Sequence, residues 1–281
     1  MNTLYISDLD GTLLNQNAEL SPYTVQAINT LIKKGMNFTI ATARSAASAV
    51  TILKDLQLTL PVVLMNGVLI YDLSAQRYLN IEYLTPESLS FIYKVLNDFG
   101  LTGFLYEVKD HMLSTYYERL NNQGQVEFYT ERVNKFRKVF TQVEAFSQVD
   151  PVHLVYLSLL DTKEHLEGAY QILKARPDMA LAYYKDVYSK EDLWYLEIFS
   201  HRATKYNAAQ YLRNAFHFDK ITGFGDNLND LPLFRACEET CAVANAKAEV
   251  KEAATHIIGS NTEDGVADWL RRNYHDEHLL L

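Results

Sequence analysis

Two aspartates stand two residues apart at the end of an apolar run, in Ile6-Ser7-Asp8-Leu9-Asp10-Gly11-Thr12-Leu13-Leu14. If the run is a strand that extends through both, side chains at i and i+2 share a face and Asp8 and Asp10 point the same way. Gly11 and Thr12 then break the strand and leave backbone N–H groups near the two carboxylates. Such a place suits a hard cation and an anion held together. A plain strand with an Asp-rich turn is the simpler reading of Asp-x-Asp-Gly alone. A calcium loop counted from Asp8 ends on Glu19, but its sixth position is Leu13 where glycine is needed.

Three other segments could join this pair, and each must close a strand or open a helix to do so. Residues 21–35 read as a helix, with Ser21 as N-cap, Pro22 in the first turn, and Val25, Ile28, Leu31 and Ile32 at helical spacing. A strand over 36–42 then ends at Thr42-Ala43-Arg44, a helix spans 45–58, and a short strand over 61–65 ends at Asn66-Gly67. This is the rhythm of a parallel sheet with covering helices. After residue 200 the rhythm resumes: helix from Lys205, strand to Gly225, then Asp226-Asn227-Leu228-Asn229-Asp230 before the next helix. Open parallel sheets gather ligands at the carboxyl ends of their strands, where these polar residues fall.

Between the two stretches the pattern changes. A hairpin over 68–83 precedes a helix over 86–99, strands at 103–108, 112–118, 152–160, 181–188 and 193–199, and helices near 131–145 and 163–175. The fold class expected is α/β, a Rossmann-like parallel-sheet core built from 1–84 and 201–281 and interrupted at 85–200 by an inserted α+β domain.

Each segment alone has a bland explanation: Thr42 as a helix N-cap, Lys205 as a solvated lysine, 226–230 as a capping loop. Together and in this order they resemble the haloacid dehalogenase superfamily, and Asp8 to Leu14, Ala41-Thr42-Ala43-Arg44, Asn66-Gly67 and Gly225-Asp226 through Asn229-Asp230 resemble its Cof-type subfamily, in which a large α/β cap follows the third core strand. The resemblance implies a phosphohydrolase with Asp8 as nucleophile and Asp10 as general acid and base. It implies Mg²⁺ held by Asp8, the Asp10 carbonyl and Asp226, with Asp230 behind them, and phosphate oxygens held by Thr42, the Ala43 N–H, Lys205 and Asn229. The subfamily usually has glycine where Ala43 stands, and the residues before Lys205 depart from its pattern. A phosphomutase and a phosphometabolite-binding regulator without turnover are the alternatives.

The bulk numbers bound the partners. The chain has 281 residues, 48% hydrophobic, with a net charge of −9. No Lys/Arg-rich tract suits nucleic acid, and no apolar run is long enough for a membrane span. A cytoplasmic enzyme acting on a small phosphorylated metabolite is expected, its oligomeric state open. Cys237 and Cys241 lack nearby histidines and read as free thiols rather than a zinc pair. Eleven of the 19 tyrosines, Tyr188 among them, fall within 85–200. A few would face the substrate while the rest suit a half-exposed sheet.

Overall fold

The computed structural model describes residues 2–186 and 192–274; Tyr188 lies outside them. The chain divides into two compact units, Met1–Asn80 with Thr204–Leu281, and Ile81–Ala203. The sequence reading put the boundaries at 84/85 and 200/201.

The first unit begins with β1 (Thr3–Ser7), α1 (Pro22–Lys33), β2 (Asn37–Ile40), α2 (Ala46–Leu53), β3 (Val62–Leu64), β4 (Leu69–Asp72) and β5 (Arg77–Ile81). α1 forms as its sequence dictates: the Ser21 side chain accepts from the Thr24 N–H, Pro22 sits in the first turn, and Thr24, Ala27, Ile28 and Leu31 are buried on one face. Helix α2 is shorter than the expected 45–58, ending at Leu53.

The inserted unit carries α3 (Pro86–Phe99), β6 (Gly103–Lys109), β7 (Met112–Tyr117), α4 (Gln123–Phe136), β8 (Phe140–Gln142), β9 (Leu154–Thr162), α5 (Lys163–Lys174), β10 (Met179–Lys185) and β11 (Leu193–Ser200). The chain then completes the first unit with α6 (Lys205–Phe216), β12 (Lys220–Gly225), α7 (Leu231–Ala236), β13 (Glu239–Val243), α8 (Ala248–Ala253), β14 (His256–Ile258) and α9 (Gly265–Asn273).

In the first unit five strands run parallel in the order β14-β13-β12-β1-β2. β1 lies inside the sheet and is apolar on both faces, with Leu4 and Ile6 fully buried. A parallel bridge from Ala41 to Val63 brings β3 beside β2, and β3-β4-β5 form a separate three-stranded sheet. The expected hairpin is β4 and β5, whose connection is closed by Asp72 Oδ1 accepting from the Ser74 and Ala75 N–H groups.

The inserted unit has one six-stranded sheet, β10-β11-β9-β6-β7-β8, antiparallel except where β7 meets β8. One face, with Leu105, Leu157, Leu159, Leu196 and Ile198, packs in a core with Leu89 and Ile92 of α3 and Leu166 and Leu173 of α5. The other face is aromatic: Phe104 stacks on Phe128 of α4 at 4.6 Å between centroids, and Tyr156 on Phe199 at 5.3 Å. The sequence reading had five strands here and a helix near 131–145. The helix instead starts at Gln123, capped by the Asn122 side chain accepting from the Gln125 N–H, and ends at Arg137, whose φ is +52°. β8 was missed because three residues carry too little alternation to be read, and their pairing partner is a strand more than twenty residues earlier. Among the described residues no helix is long and apolar enough to cross a membrane. Cys237 and Cys241 are free thiols, Cys241 buried.

Candidate active site

β1 and β12 are neighbours, so their carboxyl ends deliver Asp8 and Asp226 side by side; the Asp8 N–H bonds the Phe224 carbonyl at 3.0 Å. Asp230 follows one turn later, in a 3-10 turn over Leu228–Asp230 that leads into α7. Its Oδ2 accepts from the N–H groups of Asp226 and Asn227 at 2.9 and 3.0 Å, tying the loop to the strand end. Carboxylate oxygens of Asp8, Asp226 and Asp230 all lie within 4.8 Å of one another.

A single ammonium answers two of them. Lys205 Nζ donates to Asp8 Oδ1 at 2.5 Å and to Asp230 Oδ1 at 2.7 Å, and its side chain is only 1% exposed. Lys205 is the first residue of α6, and Thr204 caps that helix by accepting from the Asn207 N–H. The Asn66-Gly67 pair fixes where the helix begins: Gly67 has φ +105°, and a Cβ there would meet the Thr204 carbonyl oxygen at 2.4 Å. The pair lies in the four-residue connection between antiparallel β3 and β4, in a turn that admits the helix start.

The electrostatics follow from burial. Loss of water pushes the Asp8 carboxyl well above its usual range; Lys205 pulls it down, and Asp230 and Asp226 push it up. Burial, and then Asp230, raise Asp226 to about 6. Burial works against the charge on Lys205, but Asp230 and Asp8 together hold its pKa above the ordinary lysine value. Three carboxylates facing one ammonium leave negative charge uncompensated, and the donors are all oxygen. That donor set fits a hard divalent cation, with Asp8 and Asp226 the residues to hold it and Asp230, its oxygens taken by Lys205 and two N–H groups, behind them.

Asp10 is elsewhere. β1 ends at Ser7, and the next residues coil, the Leu9 carbonyl accepting from the N–H groups of Thr12, Leu13 and Leu14. The coil buries Leu9 and turns Asp10 outward, so the expectation of two carboxylates on one strand face is wrong. The Asp10 side chain is 44% exposed and gripped by Arg44, whose Nε and Nη2 donate to Oδ2 and Oδ1 at 2.8 and 2.6 Å. Its carboxylate is no part of the acidic trio.

The remaining expected residues form a rim. Thr42 is fully buried, its hydroxyl accepting from the Arg44 N–H at 3.1 Å; Ala43 is exposed beside it. The Asn229 side chain is exposed and donates to Asn66 Oδ1 at 3.2 Å.

Three side chains take part beyond those assigned from the sequence. The Thr12 hydroxyl donates to Asp226 Oδ1 at 2.8 Å. Asn245 Nδ2 donates to the Gly11 carbonyl at 2.7 Å, fixing the loop after Asp10. Arg44 orients Asp10. Asn245 lay in reach of sequence reasoning, because it stands two residues beyond the carboxyl end of β13, where ligand-side residues collect. Gly11, at φ +78°, could not be another residue: its Cβ would lie 2.5 Å from an Asp226 carboxylate oxygen.

Comparison with known proteins agrees with this geometry. The model of the haloacid dehalogenase-like hydrolases matches residues 5–270. The chain is 24% identical over 282 residues to a pyridoxal phosphate phosphatase of Escherichia coli, covering 94% of this chain and 95% of that one. It is 27% identical over 284 residues to a 5-amino-6-(5-phospho-D-ribitylamino)uracil phosphatase of Bacillus subtilis, covering 92% and 94%. A Thermotoga maritima protein of known crystal structure superposes with a TM-score of 0.79 at 26% identity, covering 98% of both chains.

Proposed function

Because the chain belongs to the haloacid dehalogenase-like hydrolase family and is one of its phosphatases, we propose that it hydrolyses small phosphorylated metabolites with Mg²⁺, through a phosphoryl group carried on Asp8. The observation that supports this most is the convergence of Asp8, Asp226 and Asp230 around Lys205 at the ends of adjacent parallel strands.

In this reading an Asp8 oxygen attacks phosphorus, a P–O bond forms to the carboxylate, and the bond to the leaving alcohol breaks. Asp10 gives the alcohol its proton, then takes one from the water that attacks the phosphorus of the aspartyl-phosphate and restores Asp8. For this Asp10 must exchange one of its bonds to Arg44 for the substrate oxygen. Lys205 favours the ionised form of Asp8 against the burial that raises its pKa, and still has a third N–H to offer a phosphate oxygen. Thr42, the Ala43 N–H and Asn229 complete the phosphate cradle. The Thr12 hydroxyl and the Asp230 side chain hold Asp226 and its loop in place. When bound, Mg²⁺ supplies positive charge that lets a carboxylate and a phosphate dianion approach.

The inserted unit is assigned the choice of leaving group, its tyrosine-rich sheet face offering rings and hydroxyls. Release of inorganic phosphate from a panel of sugar phosphates, pyridoxal phosphate and nucleotide monophosphates, with Mg²⁺ and with a chelator, tests the reading. Turnover abolished by chelator and restored by Mg²⁺ is expected; full turnover without a divalent cation would sink it. An isomerised phosphate ester in place of inorganic phosphate would make the enzyme a mutase.

A further inference from the structure

On the aromatic face of the inserted sheet, one lysine has no carboxylate. Lys138 follows α4, tied back by its N–H to the Arg132 carbonyl at 3.1 Å. Its ammonium lies 4.3 Å from the ring centroid of Tyr106 and 5.1 Å from that of Phe140. Among the described residues no acidic side chain pairs with it. Rings attract a cation through their negative faces, but they do not supply the hydrogen bonds that three N–H donors lose on leaving water.

The same place holds a second incomplete group. Thr115 of β7 stands in register between Tyr106 of β6 and Phe140 of β8, the two rings over which Lys138 lies. Thr115 is 1% exposed, and its hydroxyl has no hydrogen-bond partner among the described residues. Buried hydroxyls without a partner are uncommon, because each forfeits its bond to water.

A second cation adds to the first. Arg132 of α4 stacks on Phe128 at 3.6 Å and pairs with Glu131 through one nitrogen, Nη1. Its charge, after the larger effect of burial, helps depress the Lys138 amine to about 7. Glu197, the carboxylate on this face of β11, is occupied by the hydroxyls of Tyr156 and Tyr184 and does not answer either cation.

We infer that Lys138, Arg132 and the Thr115 hydroxyl form an anion-binding site on the inserted unit, for a carboxylate or phosphate group of a small molecule. An anion seated between Lys138 and Arg132 completes the donors of both, and its oxygen can accept from Thr115 or lie over the same ring edges. The anion is either a second acidic group of the substrate or a separate effector.

Binding is tested with malonate by titration calorimetry on the full chain in metal-free buffer, where the carboxyl cluster of Asp8, Asp226 and Asp230 disfavours an anion in the active site. The parent should bind malonate, and Lys138→Met, which keeps the stem and removes the charge, should bind at least tenfold more weakly. Equal isotherms for the two, or no binding by either, would overturn the site. Arg132→Gln, scored for folding by circular dichroism, should weaken binding as well and guards against a collapse specific to position 138.

Kinetics then separate the sources, and only this step rests on the phosphatase reading. If the anion belongs to the substrate, the ratio of kcat/KM for 3-phosphoglycerate to that for glycerol 3-phosphate falls at least tenfold in Lys138→Met. If it is an effector, malonate changes the rate on glycerol 3-phosphate in the parent and not in the variant. Malonate binding with neither response would overturn the site as part of the enzyme's working. A chain without turnover would fail the phosphatase reading and leave the calorimetry to decide the site.

Discussion

In the parallel-sheet unit the polar groups withdrawn from water at the strand ends include ions that answer one another, beside neutral hydroxyls such as Thr42: Asp8, Lys205 and Asp230 are 5%, 1% and 0% exposed and joined by two short bonds. In the inserted unit the buried polar groups are neutral but for Glu107, with Ser88, Thr102, Thr115, Gln125 and Ser158 among them, and Arg132 and Lys138 sit over rings. A buried ion pair is a poor source of stability, since the cost of desolvation consumes most of the attraction. A protein that keeps such a cluster at the ends of two central strands is using it for chemistry, whereas the inserted unit's aromatic face has the character of a recognition surface. The contrast predicts where substitution will damage rate and where it will damage selection.

The largest effect belongs to Asp8→Asn, which removes the nucleophile with almost no change in volume. Turnover should fall by roughly 10⁴-fold or more, as for other nucleophiles. The far-ultraviolet spectrum and melting profile should stay close to the parent's. A folded Asp8→Asn protein with more than a few per cent of parental kcat would refute the covalent route and erase the distinction between the units.

Asp10→Asn comes next, with a loss of about 10²- to 10⁴-fold, the usual worth of a general acid and base. Because Asp10 is outward and held by Arg44 at two points, this loss should appear in kcat with KM nearly unchanged. A drop of only a few-fold would assign the proton to another group.

Lys205→Met tests the ionic cluster itself. The variant leaves Asp8 and Asp230 adjacent, buried and without their shared cation, and removing one partner of a buried pair costs about 3–5 kcal/mol. Urea unfolding of the variant should show that loss, and Mg²⁺ should restore part of it by binding the folded state. A loss below about 1 kcal/mol would mean that Lys205 is not needed to hold the cluster together.

What the sequence disclosed follows the same division. Asp8, Asp226, Asp230 and Lys205 were legible because each sits at a chain position, a strand end or a helix start, that the βα rhythm announces. The position of Asp10 was misjudged for a local reason: strand periodicity was extended three residues too far, past the point where the Leu9 carbonyl starts to coil the chain. In the inserted unit, by contrast, Lys138, Thr115, Tyr106 and Phe140 come together from four separate segments, one beyond a helix and three on different strands. No contiguous motif marks them, and β8, the strand that brings Phe140 into place, was itself unread. Residues joined only by strand pairing leave no spacing to recognise.

The smallest predicted effect is also the one that separates the two lysines most cleanly. Lys205 has its pKa held above the usual value by two carboxylates, so its removal destabilises; Lys138 has its amine lowered to about 7 by burial and by Arg132, so its charge opposes folding. A lysine amine in the unfolded chain titrates near 10.4, roughly. Below pH 7 the amine is charged in both states and the full penalty applies; between pH 7 and about 10 the folded protein sheds the proton first and the penalty fades. Lys138→Met should therefore stabilise at pH 7 and below, and the gain should shrink toward zero as pH approaches about 10. Malonate added to the parent at pH 7 should stabilise it by an amount that grows with its concentration over its Kd, and should move the variant less. Melting midpoints at pH 6, 7 and 9.5, with and without malonate, check both statements. A variant less stable than the parent at pH 6 would show that Lys138 is already neutralised, and the lysine would then belong with Lys205.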